Sequence, residues 1–165
     1  MSETKNGEVA ELKADAVVAS TQPNAFAEVF AKAGRPEVCS FDLKTPAGRA
    51  LMQQCEESSD LKIIEHVGKP FRVVHVYAKV IDYVNEQTSE TYPLLRICLV
   101  DTDNRVLSCC SDGIREGLWR LMKGHGFPPW KQGIPVEVGL KKLAGVKQRL
   151  QLLEVFADVK GKGAK

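Results

Sequence analysis

Apolar and polar residues alternate along much of the second half of this chain of 165 residues. A period of two is typical of β-strands, whose successive side chains point to opposite faces of a sheet. The pattern predicts five strands, at residues 71–83, 92–101, 105–110, 134–142 and 147–155. In the first strand it assigns Val74 and Val76 to the core face and Phe71 and Val73 to the other. A bulge that switches this register is expected in so long a strand.

A helical period separates the third predicted strand from the fourth. The apolar residues recur three or four positions apart, at Ile114, Leu118, Leu121 and Met122. This spacing predicts a helix over residues 112–123. Ser111 suits its start because a serine oxygen can accept a backbone N–H, and Gly124 suits its end.

The first 60 residues are predicted to form a small helical extension. A short helix at residues 24–33 carries Phe26, Val29 and Phe30 on one side. A second helix begins at the Thr-Pro pair at residue 45. The phenylalanine-bearing helix could pack on the rest of the chain, or it could mediate self-association along a bound strand.

The order of these elements indicates a fold. Three strands, a helix and two further strands are the order of an OB-fold, a small barrel that binds oligonucleotides and oligosaccharides. We therefore expect a mainly β fold with some α: a five-stranded OB-fold barrel with a helix between strands 3 and 4. The expected organisation is an N-terminal arm with short helices at residues 1–60, the OB-fold domain at 61–157 and a disordered basic tail at 158–165.

Charge is unevenly divided along the chain. Residues 1–60 carry 6 basic and 10 acidic side chains, whereas residues 61–165 carry 17 and 11. A basic half favours a polyanionic partner, although a solvated basic face explains the same excess. No apolar run approaches the length of about 20 residues that spans a bilayer.

Candidate catalytic and metal-binding groups are scattered. The sequence has no GxGxxG, P-loop or nucleophile-elbow motif. Its five cysteines form no CxxC pair, which argues against a disulfide framework and a zinc ribbon and favours a cytoplasmic location. Cys109 and Cys110 are adjacent on a predicted strand, so they should point to opposite faces. We predict no enzymatic activity and no cofactor, with a two-metal nuclease as the alternative.

Aromatic and basic residues of the first two strands share the predicted non-core face. A single strand of nucleic acid needs flat rings for its bases and cations for its phosphates. The predicted interface on these strands comprises Tyr77, Lys79, Tyr83, Tyr92 and Arg96, and the last hairpin adds Lys141, Lys142, Lys147 and Arg149. Any of these rings could instead pack in the core, and Trp130 could cap the end of the barrel.

Four short motifs resemble those of phage and mobile-element single-stranded DNA-binding proteins. They are VGKPFRVV at residues 67–74, LVDTD at 99–103, SDGI at 111–114 and PPW at 128–130. The resemblance implies an OB-fold that coats single-stranded DNA during replication or recombination of the element, in the cytoplasm of its host. It covers about residues 60–156 and implies no catalytic residues.

The expected function is therefore binding of single-stranded DNA with little sequence preference. Two alternatives stay open at this point: a protein-interaction module whose sheet is covered by a partner, and an OB-type RNA binder.

Overall fold

A largely antiparallel sheet and three α-helices form the described part of the protein in its computed structural model. The described residues are 23–32, 36–57, 61–145 and 147–156. The predicted basic tail at 158–165 lies outside them. Among the described helices, none combines the length and apolar content needed to cross a bilayer.

Seven strands are found among these residues. In chain order the elements are α1 (Pro23–Phe30), β1 (Glu37–Cys39), α2 (Pro46–Glu57), β2 (Leu61–Lys62), a 3-10 helix (Ile63–His66), β3 (Phe71–Val84), β4 (Thr91–Asp101), β5 (Val106–Cys109), α3 (Asp112–His125), β6 (Ile134–Lys142) and β7 (Gln148–Glu154). The five predicted strands of the second half and the helix between them are confirmed to within two residues at each end.

The hydrogen-bonded order of the sheet is β2-β5-β4-β3-β6-β7, with β1 added to β3. β3 pairs with β6 through residues 71–73 and with β4 along most of its length. The expected bulge lies between Val73 and His75. On the N-terminal side of the bulge, the side chains face the opposite way from the prediction. Phe71 and Val73 are buried in the core, and Val74 is only half-buried. The assignment of Phe71 and Val73 to the outer face is therefore wrong.

The predicted barrel is not closed in the part of the chain that the structure describes. A five-stranded barrel closes when β5 pairs with β7. Here another element lies against the free edge of each of these two strands. β2 pairs in parallel with β5, and α3 lies along β7. A methyl group added at Gly113 would overlap the Leu150 carbonyl oxygen, and Arg120 donates to the Leu152 carbonyl at 3.4 Å. The result is an open, mainly β sheet.

Two apolar clusters lie on opposite faces of this sheet. The larger one holds the buried side of α3 and, from α1, Phe26, Val29 and Phe30. The contacts suggested for self-association are thus taken up inside the chain's own core. Trp130 is buried in the same cluster, and its ring nitrogen donates to the Gly126 carbonyl at 3.0 Å.

The smaller cluster lies beneath α2. Cys55 of α2 packs with Cys98 of β4 and Tyr77 of β3, all fully buried. α2 therefore covers one part of the outer face of the β3–β4 hairpin, and the remaining part is open.

Candidate nucleic-acid interface

Cross-strand pairs on β3 and β4 form a ladder on the outer face of the sheet. The register joins Tyr77 to Cys98, Lys79 to Arg96, Ile81 to Leu94 and Tyr83 to Tyr92. Because alternate residues of a strand share a face, all four pairs lie on the same side. The five residues predicted on these strands are therefore on one face, in two different environments.

Tyr77 occupies the covered end of the ladder. Its ring is fully buried under α2 and its hydroxyl donates to Glu37 Oε2 at 2.8 Å. Burial, with the nearby Glu37 carboxylate, raises the pKa of Tyr77 well above its ordinary value. The structure does not present Tyr77 for stacking on a base, because the chain itself encloses the ring.

Tyr83 and Tyr92 occupy the open end. Their rings are 44% and 42% exposed, and their centroids are 5.2 Å apart with an interplanar angle of 54°. The contact between the rings orients each one while leaving part of its surface in solvent. Two neighbouring, exposed rings are a suitable surface for stacking of unpaired bases.

Lys79 and Arg96 lie directly opposite each other between the two ends. Lys79 Nζ lies 3.7 Å from Glu56 Oε1, and both side chains are more than 40% exposed. An exposed ion pair of this kind contributes little free energy, so a phosphate can displace the carboxylate. Arg96 has no ion-pair partner among the described residues, so its charge is available to a polyanion.

A groove of about 310 Å³ continues from Arg96 toward β7. Its lining also includes Lys62, Ile64, Ser108, Cys110 and, from β7, Leu150. β5 and β7, which both contribute to it, are not paired with each other in the sheet. The sequence prediction missed these lining residues, since only the open sheet brings them to Arg96. The sequence offered one signal for this groove, the adjacent Cys109 and Cys110, which were predicted to point to opposite faces of a strand. In the structure Cys109 packs against the core and Cys110 is exposed.

The hairpin of β6 and β7 carries the four other predicted residues. Lys141 pairs with Arg149 across the two strands, and Lys142 and Lys147 are exposed near the turn. Arg149 Nη2 lies 2.7 Å from Glu116 Oε1 of α3, and this contact lowers the pKa of Glu116. Arg149 is thus partly neutralised, whereas the three lysines have no acidic partner among the described residues.

Reactive groups at the groove are few. Burial raises the pKa of the Cys109 thiol to about 12 and also raises that of Cys110. Both thiols are therefore protonated near neutral pH, and a thiolate is the form that reacts. Within the described ranges, no three His, Cys, Asp or Glu residues come together as a metal site would require.

Comparison with known proteins identifies no relative: no family model, curated protein or solved structure matches this chain. The resemblance of its motifs to phage and mobile-element single-stranded DNA-binding proteins therefore stays a prediction.

Proposed function

We propose that this protein binds single-stranded DNA and that its sheet is an open variant of the OB-fold. The DNA backbone follows the cations of the β3–β4 face and of the adjoining groove, and the bases stack on the exposed tyrosines. The role implied by the motifs is coating of single strands during replication or recombination of a phage or mobile element, in the host cytoplasm.

One observation carries the proposal: the Tyr83–Tyr92 pair and the Lys79–Arg96 pair share one exposed face. The two pairs are four positions apart along each strand, which corresponds to about 13 Å. Stacking contributes roughly 1–3 kcal/mol per base, and each neutralised phosphate releases counterions. Because every base has a π-face, such a site discriminates little between sequences.

The order of the strands supports the OB-fold part of the proposal. β4 and β6 flank β3, β5 lies beyond β4, β7 lies beyond β6, and α3 connects β5 to β6. In an OB-fold the second and third strands and the two hairpin loops form the binding surface. The corresponding elements are β4, β5 and the turns after β3 and β6. They border the exposed tyrosines, the groove and the exposed lysines of the β6–β7 hairpin.

A titration of fluorescence anisotropy tests the proposal. The full chain is added to a labelled oligo-dT, to a duplex of the same length and to the matching RNA, at low and moderate salt without metal. We expect tighter binding to the single strand than to the duplex, with an affinity that falls as salt rises. Equal or tighter binding to RNA would favour the RNA-binding alternative. Absence of binding to the single strand at low salt would contradict the proposal and leave a protein partner for this face.

A further inference from the structure

The groove at Arg96 differs from the rest of the candidate interface because it is concave and partly apolar. Its volume of about 310 Å³ lies at the lower end of the range of about 300–1,000 Å³ that is typical of pockets for small ligands. A space of this size suits one unit of a bound strand and not several.

Two cations border the groove from opposite sides of β5. Lys62 of β2 pairs with Ser108 of β5, and Ser108 pairs with Cys98 of β4. Partners on neighbouring strands share a face, so Lys62 lies on the same outer face as Arg96. β2 and β4 are about 10 Å apart because β5 separates them. The long side chains of Lys62 and Arg96 can therefore contact one phosphate above β5.

The charge of the lining suits an anion. Lys62 and Arg96 are its two charged residues, and no acidic residue is found in the part of the lining that the structure describes. A cleft lined by charge of one sign raises the local concentration of the opposite sign.

The rest of the lining includes apolar side chains that suit a base. Ile64 is 58% exposed, which is the largest fraction among the large apolar residues that the structure describes. Leu150 of β7 is half-buried in the same lining. Proteins that hold a base outside its stack place it between apolar or aromatic side chains. Cations next to exposed apolar side chains thus match the two parts of a nucleotide.

We propose that this groove holds one nucleotide of the bound single strand, with its phosphate between Lys62 and Arg96 and its base against Ile64 and Leu150. The inference rests on the proposed function and adds a subsite whose base does not stack on a tyrosine. Lys79 lies opposite Arg96, so a strand that leaves the tyrosines passes this pair of cations and reaches the groove by crossing β4 and β5.

Cys110 reports on the occupancy of the groove. It lines the groove, and the pairing of Ile97 with Cys109 places it opposite Arg96. It is the one exposed thiol of the five in the chain. Burial raises the pKa of Cys109 to about 12. N-ethylmaleimide at alkaline pH should therefore label Cys110 first, and fragmentation of the labelled peptide locates the adduct.

The first test compares the rate of this labelling in the full chain with and without saturating oligo-dT, and anisotropy of the same samples measures DNA binding. We expect the rate to fall by about tenfold or more, because the thiol reacts only during the fraction of time in which the groove is empty. The control is C110S/Q132C, which moves the exposed thiol to the loop after α3. Its rate should be the same with and without oligo-dT.

The second test concerns the base. Ile64→Ala removes apolar surface from the groove, and Leu153→Ala removes it from a side chain of β7 that is 42% exposed and lies outside the lining. We expect Ile64→Ala to weaken oligo-dT binding by about three- to tenfold. Leu153→Ala should leave the affinity unchanged.

The outcomes separate the subsite from the proposed function. Binding of oligo-dT with an unprotected Cys110, with equal slowing in C110S/Q132C, or with equal affinities of Ile64→Ala and Leu153→Ala would overturn the subsite and leave the proposed function intact. Absence of oligo-dT binding at low salt would contradict both.

Discussion

Tyr83 of β3 and Tyr92 of β4 lie directly opposite each other, with ring centroids 5.2 Å apart, on the open face of the hairpin. If they stack bases, replacing either ring by alanine removes about 1–3 kcal/mol of binding free energy, or roughly 5- to 150-fold in affinity. Anisotropy titration of Tyr83→Ala and Tyr92→Ala with oligo-dT measures this loss. Val84→Ala is the matched control, because Val84 is the exposed neighbour on the opposite face. An equal loss in Val84→Ala would indicate damage to the hairpin instead of loss of stacking.

Arg96 should contribute to the dependence of binding on salt. Its guanidinium has no acidic partner among the described residues and lines the groove at the seam of the sheet. Each phosphate contact on a single strand contributes a slope of about 0.7 to the logarithm of affinity against the logarithm of salt concentration. We expect Arg96→Ala to reduce the slope by about that amount. Lys131→Ala, an exposed cation in the loop after α3, is the control. An unchanged slope in Arg96→Ala would remove Arg96 from the interface.

Tyr77 should matter for stability and not for DNA binding. Tyr77→Phe removes the hydroxyl that donates to Glu37 at 2.8 Å and leaves a half-buried carboxylate without that donor. Hydrogen bonds to charged groups contribute about 1.5–3 kcal/mol. We expect the free energy of unfolding, from denaturant titration, to fall by about this amount while oligo-dT affinity stays within about twofold. Weakened binding with unchanged stability would place Tyr77 in the interface after all.

Gly113 tests the packing of α3 on β7. A methyl group there would overlap the Leu150 carbonyl, whereas nothing lies within 4 Å of a methyl group added at Gly124 of the same helix. We expect Gly113→Ala to lower the free energy of unfolding by about 1–3 kcal/mol through overpacking. Gly124→Ala should raise it by about 0.5–1 kcal/mol, because alanine is the better helix former. Two variants of equal stability would mean that α3 does not lie this close to β7.

His75 gives stability a dependence on pH. Its Nδ1 lies 3.1 Å from Ser40 Oγ, which also accepts the Val76 N–H at 3.0 Å, so the serine hydroxyl can donate to a neutral imidazole. Burial lowers the pKa of His75 below its ordinary value of 6.5. The unfolded chain therefore takes up a proton more readily than the folded one.

The contribution of His75 is consequently complete above about pH 7 and is lost as the pH falls below 6.5. Denaturant titrations between pH 8 and 5 should show a free energy of unfolding that falls on the acid side. In His75→Asn, which carries no titrating imidazole, this fall should be smaller. Identical pH profiles for the two proteins would show that His75 has the same pKa in both states.

The sequence predicts the local elements well because their signals are local. The period of two in β6 and the helical spacing of Ile114, Leu118 and Leu121 are visible within a few residues, and both elements form as predicted. The orientation of Phe71 and Val73 was not accessible in this way. A bulge shifts every side chain on one side of it, and the pattern does not reveal its position.

The candidate site shows the same limit. Tyr77 and Tyr83 are equivalent in the alternation of β3, yet only Tyr83 is exposed. The difference comes from α2, whose Cys55 packs over Tyr77, and no periodicity in either segment predicts that docking. The groove at Arg96 was missed for a related reason, because it exists only where β5 and β7 remain apart.

The most direct measurement of the central claim is photocrosslinking with a single-stranded oligonucleotide that carries 5-iodouracil, followed by mass spectrometry of the crosslinked peptides. This base crosslinks to aromatic side chains in contact with it. We predict crosslinks at Tyr83 or Tyr92, which disappear when unlabelled oligo-dT is added in excess. Competed crosslinks confined to residues outside the β3–β4 face and the groove at Arg96 would contradict the account.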